Sequence, residues 1–79
     1  MTLDQLHDGE LAILVGYAPE APASWRRRFE DLGFIPETEV RRERRAPLGD
    51  PLAFRLRGTV LCLRRAEARL VKVRRLSRP

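Results

Sequence analysis

The sequence predicts a mostly β fold, a small and partly open barrel of about five short strands with one helix inserted. Three observations carry this. Apolar or alternating segments recur at Leu11–Val15, Leu52–Leu56, Val60–Leu63 and Leu70–Val73, and Val40–Arg45, five of whose six residues are charged, joins them only because a hairpin tip follows it. One amphipathic segment, about 24–32, interrupts the series with helical spacing. Third, Ala46-Pro47-Leu48-Gly49-Asp50-Pro51 separates two flanks of similar length, Glu39 to Arg45 and Leu52 to Leu56. Pro47 fixes φ, Gly49 takes φ > 0 without cost, Asp50 bonds its own backbone, and Pro51 pushes Asp50 away from helix. These residues predict a stiff hairpin tip.

At 79 residues the chain is one domain, 1–79, near the size at which a core only just suffices. Its 43% hydrophobic and 34% charged content is that of a globular chain. No apolar run approaches the roughly 18 residues of a membrane span. Met1-Thr2-Leu3-Asp4 has neither the basic nor the apolar block of a signal peptide. A soluble cytoplasmic protein is expected. The single cysteine, Cys62, excludes an internal disulfide and a cysteine-based zinc site. Its apolar neighbours predict a buried strand thiol.

Taken in order, Leu3 and Leu6 have helical spacing and pin a short turn onto the barrel. Asp8-Gly9 is a turn. His7, the only histidine, neighbours Asp4 and Asp8, a set able to offer a surface site to a divalent ion, with ligands completed from a second chain. A solvent-exposed histidine is the simpler expectation. In the first strand Leu11, Ile13 and Val15 share one face and Ala12 and Leu14 the other, with Gly16 ending it. Ser24 suits the N-cap of the helix, and Trp25, Phe29 and Leu32 form its apolar stripe. Gly33 follows where a left-handed cap belongs, and Phe34 is placed to fold back over the last turn.

Ile35-Pro36-Glu37-Thr38 turns into a second strand rich in arginine, which predicts a sheet edge. Leu52, Phe54 and Leu56 then alternate inward against Ala53, Arg55 and Arg57. Gly58-Thr59 turns the chain into a buried strand, Val60–Leu63. Residues 64–68 suit one helical turn, and Leu70, Val71 and Val73 make the last strand.

The net charge is +5, and fifteen of the sixteen basic residues are arginine, Lys72 being the exception. Arginine pairs bidentately with carboxylate and phosphate, so anionic partners suit this surface. Alternation along strands assigns most of these charges to a solvated outer face. Nucleic-acid binding also calls for stacking aromatics or a groove-reading helix, and the five aromatics have core roles. Glycine-rich phosphate loops are absent, and neither Ser24 nor Cys62 has a histidine placed to activate it. A binding module without catalytic machinery is expected.

Three motifs in order resemble the FeoA family, small cytosolic proteins of bacterial ferrous iron transport. They are Arg28-Phe29-Glu30-Asp31-Leu32-Gly33-Phe34, Ala46-Pro47-Leu48-Gly49-Asp50-Pro51, and Leu61-Cys62-Leu63-Arg64-Arg65-Ala66-Glu67-Ala68 with the Leu70-Val71-Lys72-Val73 strand. At Glu37 the chain departs from the family, which often has glycine there. The resemblance implies an SH3-like barrel and no required cofactor. It also implies an accessory or regulatory role through protein–protein contact with FeoB, a permease with a cytosolic GTP-binding domain, at the inner face of the membrane. On such a barrel, Leu48 at a proline-braced tip is the expected partner contact. Pro47, Pro51, Asp50 and Arg28 are expected to support it. For Asp50, Pro47 and Pro51 turn chemistry is the competing assignment, and for Arg28 an internal salt bridge to Asp31 or Glu67. An arginine-rich nucleic-acid-binding domain and a metal-responsive module that dimerises through His7, Asp4 and Asp8 are the alternatives. A homodimer without metal also stays open, because an unclosed barrel has edges that can pair.

Overall fold

The computed structural model describes residues 1–43 and 49–76. The strands are β1 (Leu11–Tyr17), β2 (Glu39–Arg42), β3 (Leu52–Leu56), β4 (Thr59–Leu63) and β5 (Val71–Arg75), with α1 (Ala23–Asp31) between β1 and β2 and α2 (Arg65–Ala68) between β4 and β5. They form one antiparallel sheet in the order β4-β3-β2-β1-β5 that does not close on itself. This is the predicted partly open barrel with its helical insertion. A 3-10 turn at Leu3–Gln5 precedes it, and both Leu3 and Leu6 are buried.

The inner face of β1 is Ala12 and Leu14, so the face shared by Leu11, Ile13 and Val15 is the outer one, and Val15 is 53% exposed. Leu14 pairs with Val73 and Gly16 with Lys72, so Val15 is the extra residue of a bulge. The bulge also carries the strand past Gly16 and sets Tyr17 opposite the buried Val71. Tyr17 thereby joins the core boundary.

α1 begins one residue before Ser24, at Ala23, with Pro22 in the cap position and no side-chain cap bond. Its far end is a Schellman motif: the Phe34 N–H donates to the Phe29 carbonyl at 3.0 Å and the Gly33 N–H to the Glu30 carbonyl at 3.0 Å. Gly33 has φ +108, and a Cβ there would meet the Arg57 side chain at 3.2 Å. The positive φ favours glycine, and a larger residue would also have to displace the Arg57 side chain. An aromatic series pins the helix: Tyr17 meets Trp25 edge-on at 5.7 Å, Trp25 meets Phe29 at 4.3 Å, and Phe29 meets the fully buried Phe34 at 5.7 Å. Leu32, the third member of the predicted stripe, is instead 49% exposed, because the chain turns at that cap and Phe34 takes its place.

β2 is not an edge but the central strand. Its composition misleads, since only its inward residues matter, and these are Val40 and Arg42. Arg42 is 4% exposed: its guanidinium donates through Nη1 to the Leu6 carbonyl and brings Nη2 to 3.7 Å from the Asp8 carboxylate. It ties the N-terminal segment to the sheet, and the Gly9 N–H adds a bond to the Arg42 carbonyl at 2.7 Å. The β3–β4 turn is Arg57-Gly58, not Gly58-Thr59, with φ 51 and 77, the two-residue hairpin geometry that suits strand twist. β4 buries only Leu63 fully, and Cys62, expected inside, is exposed.

Two tests follow. Replacing Arg42 by alanine leaves the Leu6 carbonyl without its charged donor and should lower unfolding free energy by about 2–3 kcal/mol, whereas Arg41→Ala on the exposed side should stay within about 0.5 kcal/mol. Urea denaturation of both variants checks this. Tyr17 donates its hydroxyl to the Phe34 carbonyl at 2.6 Å. Burial, helped by Glu30, pushes its pKa up to about 12. The folded state holds this proton more tightly than the unfolded chain, so the contribution is complete below about pH 10 and lost as pH rises toward 12. Tyr17→Phe should therefore flatten the decline in stability between pH 10 and 12, measured by urea titration across that range.

Candidate functional site

Of the residues expected to meet a partner, Asp50 is held against α2. Pro47 and Leu48 lie outside the described residues. The end of the same tip, Gly49-Asp50-Pro51, is held onto α2 from 15 residues away. The Arg65 N–H donates to Asp50 Oδ1 at 2.9 Å, and the Arg65 guanidinium donates to the Gly49 carbonyl at 2.9 Å. Arg65 is the first residue of α2, so Asp50 supplies a helix cap in trans along the chain. Glu67 completes the arrangement by accepting the Arg64 N–H at 2.9 Å. Asp50 is thus a structural acceptor with its carboxylate still exposed. Turn chemistry alone does not describe it, and the fixed tip is a stiffer surface for that bond.

α2 also reaches α1, since the Trp25 indole N–H donates to Glu67 Oε2 at 3.4 Å. Tip, α2 and the start of α1 therefore form one connected surface. Arg28 stands one turn along α1, exposed, with its guanidinium 5.6 Å from the Phe29 ring centroid. Among the described residues it makes no ion pair with Asp31 or Glu67. Its charge faces solvent.

His7, Asp4 and Asp8 line a shallow cleft of about 630 Å³ together with Arg42 and Arg65. They are not assembled as ligands, and among the described residues no group of three His, Cys, Asp or Glu is placed to hold a metal ion. Each carboxylate faces a guanidinium instead: Asp4 lies 3.9 Å from Arg69 and Asp8 lies 3.7 Å from Arg42. Two arginines in the cleft oppose a cation. His7 is exposed, and its backbone is held by Glu10 on both sides, its N–H donating to the Glu10 carboxylate at 2.8 Å and its carbonyl accepting from the Glu10 N–H at 3.0 Å.

Among the described residues, no helix is long and apolar enough to cross a membrane. The architecture and the fixed loop-and-helix surface define an SH3-like module. The chain belongs to the FeoA domain family, whose model matches residues 1–75. It is similar to the solution structure of FeoA from Chlorobium tepidum, with 36% identity and a TM-score of 0.88, covering 98% of this chain and 71% of that one. It is also similar to the crystal structure of Stenotrophomonas maltophilia FeoA complexed with zinc, described as a procaryotic SH3 domain protein. That likeness has 32% identity and a TM-score of 0.80, covering 92% of this chain and 88% of that one. A curated relative from Porphyromonas gingivalis, an Fe(2+) transport protein A/Fe(2+) transporter FeoB fusion protein, is 31% identical over 77 residues, which is 98% of this chain and 9% of the relative.

Losing the Asp50 cap should cost about 1 kcal/mol. Asp50→Ala is expected to show that loss in chemical denaturation, and Asp50→Asn, which keeps an acceptor oxygen, a smaller one.

Proposed function

We propose that this chain is a non-catalytic accessory factor of ferrous iron transport that works by protein–protein contact with the cytosolic part of a FeoB-type permease. The observation that carries this is the fusion of a similar domain to an Fe(2+) transporter in one polypeptide. Fusion fixes two domains at a high effective concentration, which is useful where separate chains must otherwise meet. The S. maltophilia relative, described as a candidate activating factor of bacterial ferrous iron transport, supports the same role.

The contact surface proposed is the tip with its neighbours on α1. Leu48 is the apolar anchor, Pro47 and Pro51 limit the entropy lost when it is buried, and Asp50 and Arg28 offer a carboxylate and a guanidinium to complementary groups. Such contact places the protein at the cytosolic face of the membrane.

The test is a two-dimensional NMR titration of the labelled protein with the isolated cytosolic domain of such a permease, with duplex DNA as control at physiological salt. Shifts should cluster at Leu48, Asp50 and Arg28 with the permease domain only. Leu48→Asp should keep the circular dichroism spectrum and weaken binding by about tenfold. Shifts seen with DNA alone, fading as salt rises, would assign the arginines to nucleic acid and sink the proposal.

A further inference from the structure

The open sheet leaves two edges, and the fold treats them differently. The outer side of β5 is occupied: Thr2 bridges Lys72, and the Val73 N–H donates to the Met1 carbonyl at 2.9 Å. β5 also carries Lys72, Arg74 and Arg75, charges that deter further pairing. Among the described residues no strand pairs with the outer side of β4.

Which groups that edge presents follows from the hairpin. The two-residue turn makes Leu56 and Thr59 the first bonded pair, so bonded pairs recur at Phe54 with Leu61 and Leu52 with Leu63. β2 confirms the phase, because the Glu43 N–H donates to the Ala53 carbonyl at 2.9 Å, so Ala53 faces β2 rather than β4. The residues opposite Arg55 and Ala53 are Val60 and Cys62. Their N–H and C=O groups therefore point outward, and among the described residues no backbone bond uses them. Val60 is 42% exposed.

Within Thr59–Leu63 there is no charge, proline or glycine to block an incoming strand. The charges stand at its two ends, Arg57 and Arg64, both exposed. Among the described residues neither makes an ion pair. A second copy is a poor occupant. Two β4 edges meeting antiparallel about Leu61 would bring the Arg57 end of one against the Arg64 end of the other, like charge on like charge.

We propose that the free edge of β4 accepts an extended acidic segment of a partner protein as an added strand, its main chain bonding Val60 and Cys62 and its terminal carboxylates meeting Arg57 and Arg64. The backbone supplies the pairing and the arginines select the charge. This surface is distinct from the tip, and it stands whether or not the tip contacts a permease.

The probe is a capped peptide of about seven residues, threonine and valine alternating between terminal glutamates. Titrated into labelled protein, it should shift the Val60 and Cys62 amides and slow their hydrogen exchange. Arg64→Glu and Arg57→Asn (asparagine tolerates the positive φ) should each weaken binding by about threefold. Val60→Pro, which removes an outward donor without breaking the β3 ladder, should abolish it. If that variant does not fold, the same peptide N-methylated on its pairing amides should fail to bind the unaltered protein. Unchanged exchange at Val60 and Cys62, or equal binding of a glutamine-ended peptide, would overturn the proposal. So would protection of these amides that rises with protein concentration alone, since the occupant would then be a second copy.

Discussion

The structure depends on Phe34. Its N–H closes the Schellman motif on Phe29, its carbonyl receives the Tyr17 hydroxyl, and its ring is fully buried against Phe29. One residue thus ends α1, fixes the end of β1 and begins the return toward β2. One strand before an insertion and four after it have little sequence-local reason to find one another. Removing the ring would open a cavity of the kind that costs about 3–5 kcal/mol, a large share of the stability of a domain this small. The positive φ at Gly33 is what lets Phe34 turn back, a conformation that residues with a side chain rarely adopt.

Arg42 plays a comparable part for the N-terminal segment. A central strand of four residues that offers the core only Val40 and an arginine would be poor if apolar burial were the sole criterion. It holds because the guanidinium replaces water with a backbone carbonyl, and because Asp8, half exposed, tempers its charge. The consequence reaches the surface. The segment from Leu6 to Asp8 is set by Arg42, so Asp8 is committed to an arginine instead of standing free beside His7.

What was legible in the sequence was whatever depended on neighbours in the chain. The alternation of Leu52, Phe54 and Leu56 gave β3, and Phe29 to Phe34 gave the helix end nearly atom for atom. What was not legible depended on distant partners. A bulge is decided by β5, not by the run from Leu11 to Val15, so the shift that sets Tyr17 opposite Val71 has no signal in that run. The centrality of β2 rests on a carbonyl 36 residues away. Asp50 looked like a turn residue because the N–H it caps lies 15 positions on. Cys62 sits in an apolar run that belongs to an edge, where hydrophobicity does not imply burial. Glu37 has φ 75, a left-handed conformation that glycine would take without strain, and this matches the position where the family often has glycine.

The site residues and the sheet edge are joined through two consecutive arginines. Arg64 closes β4, and Arg65 opens α2 and grips the tip at Gly49 and Asp50. The backbone that presents the unpaired edge is therefore continuous with the backbone that fixes the tip. α2 cannot rotate without loosening the Asp50 cap, and its Glu67 is bonded to Trp25 of α1. Recognition by pre-set surfaces of this kind loses less entropy on association than recognition by loose loops, so even small contact areas hold usable affinity. For a domain with so little core, rigidity at the contact surface has to come from such long-range hydrogen bonds rather than from depth of packing.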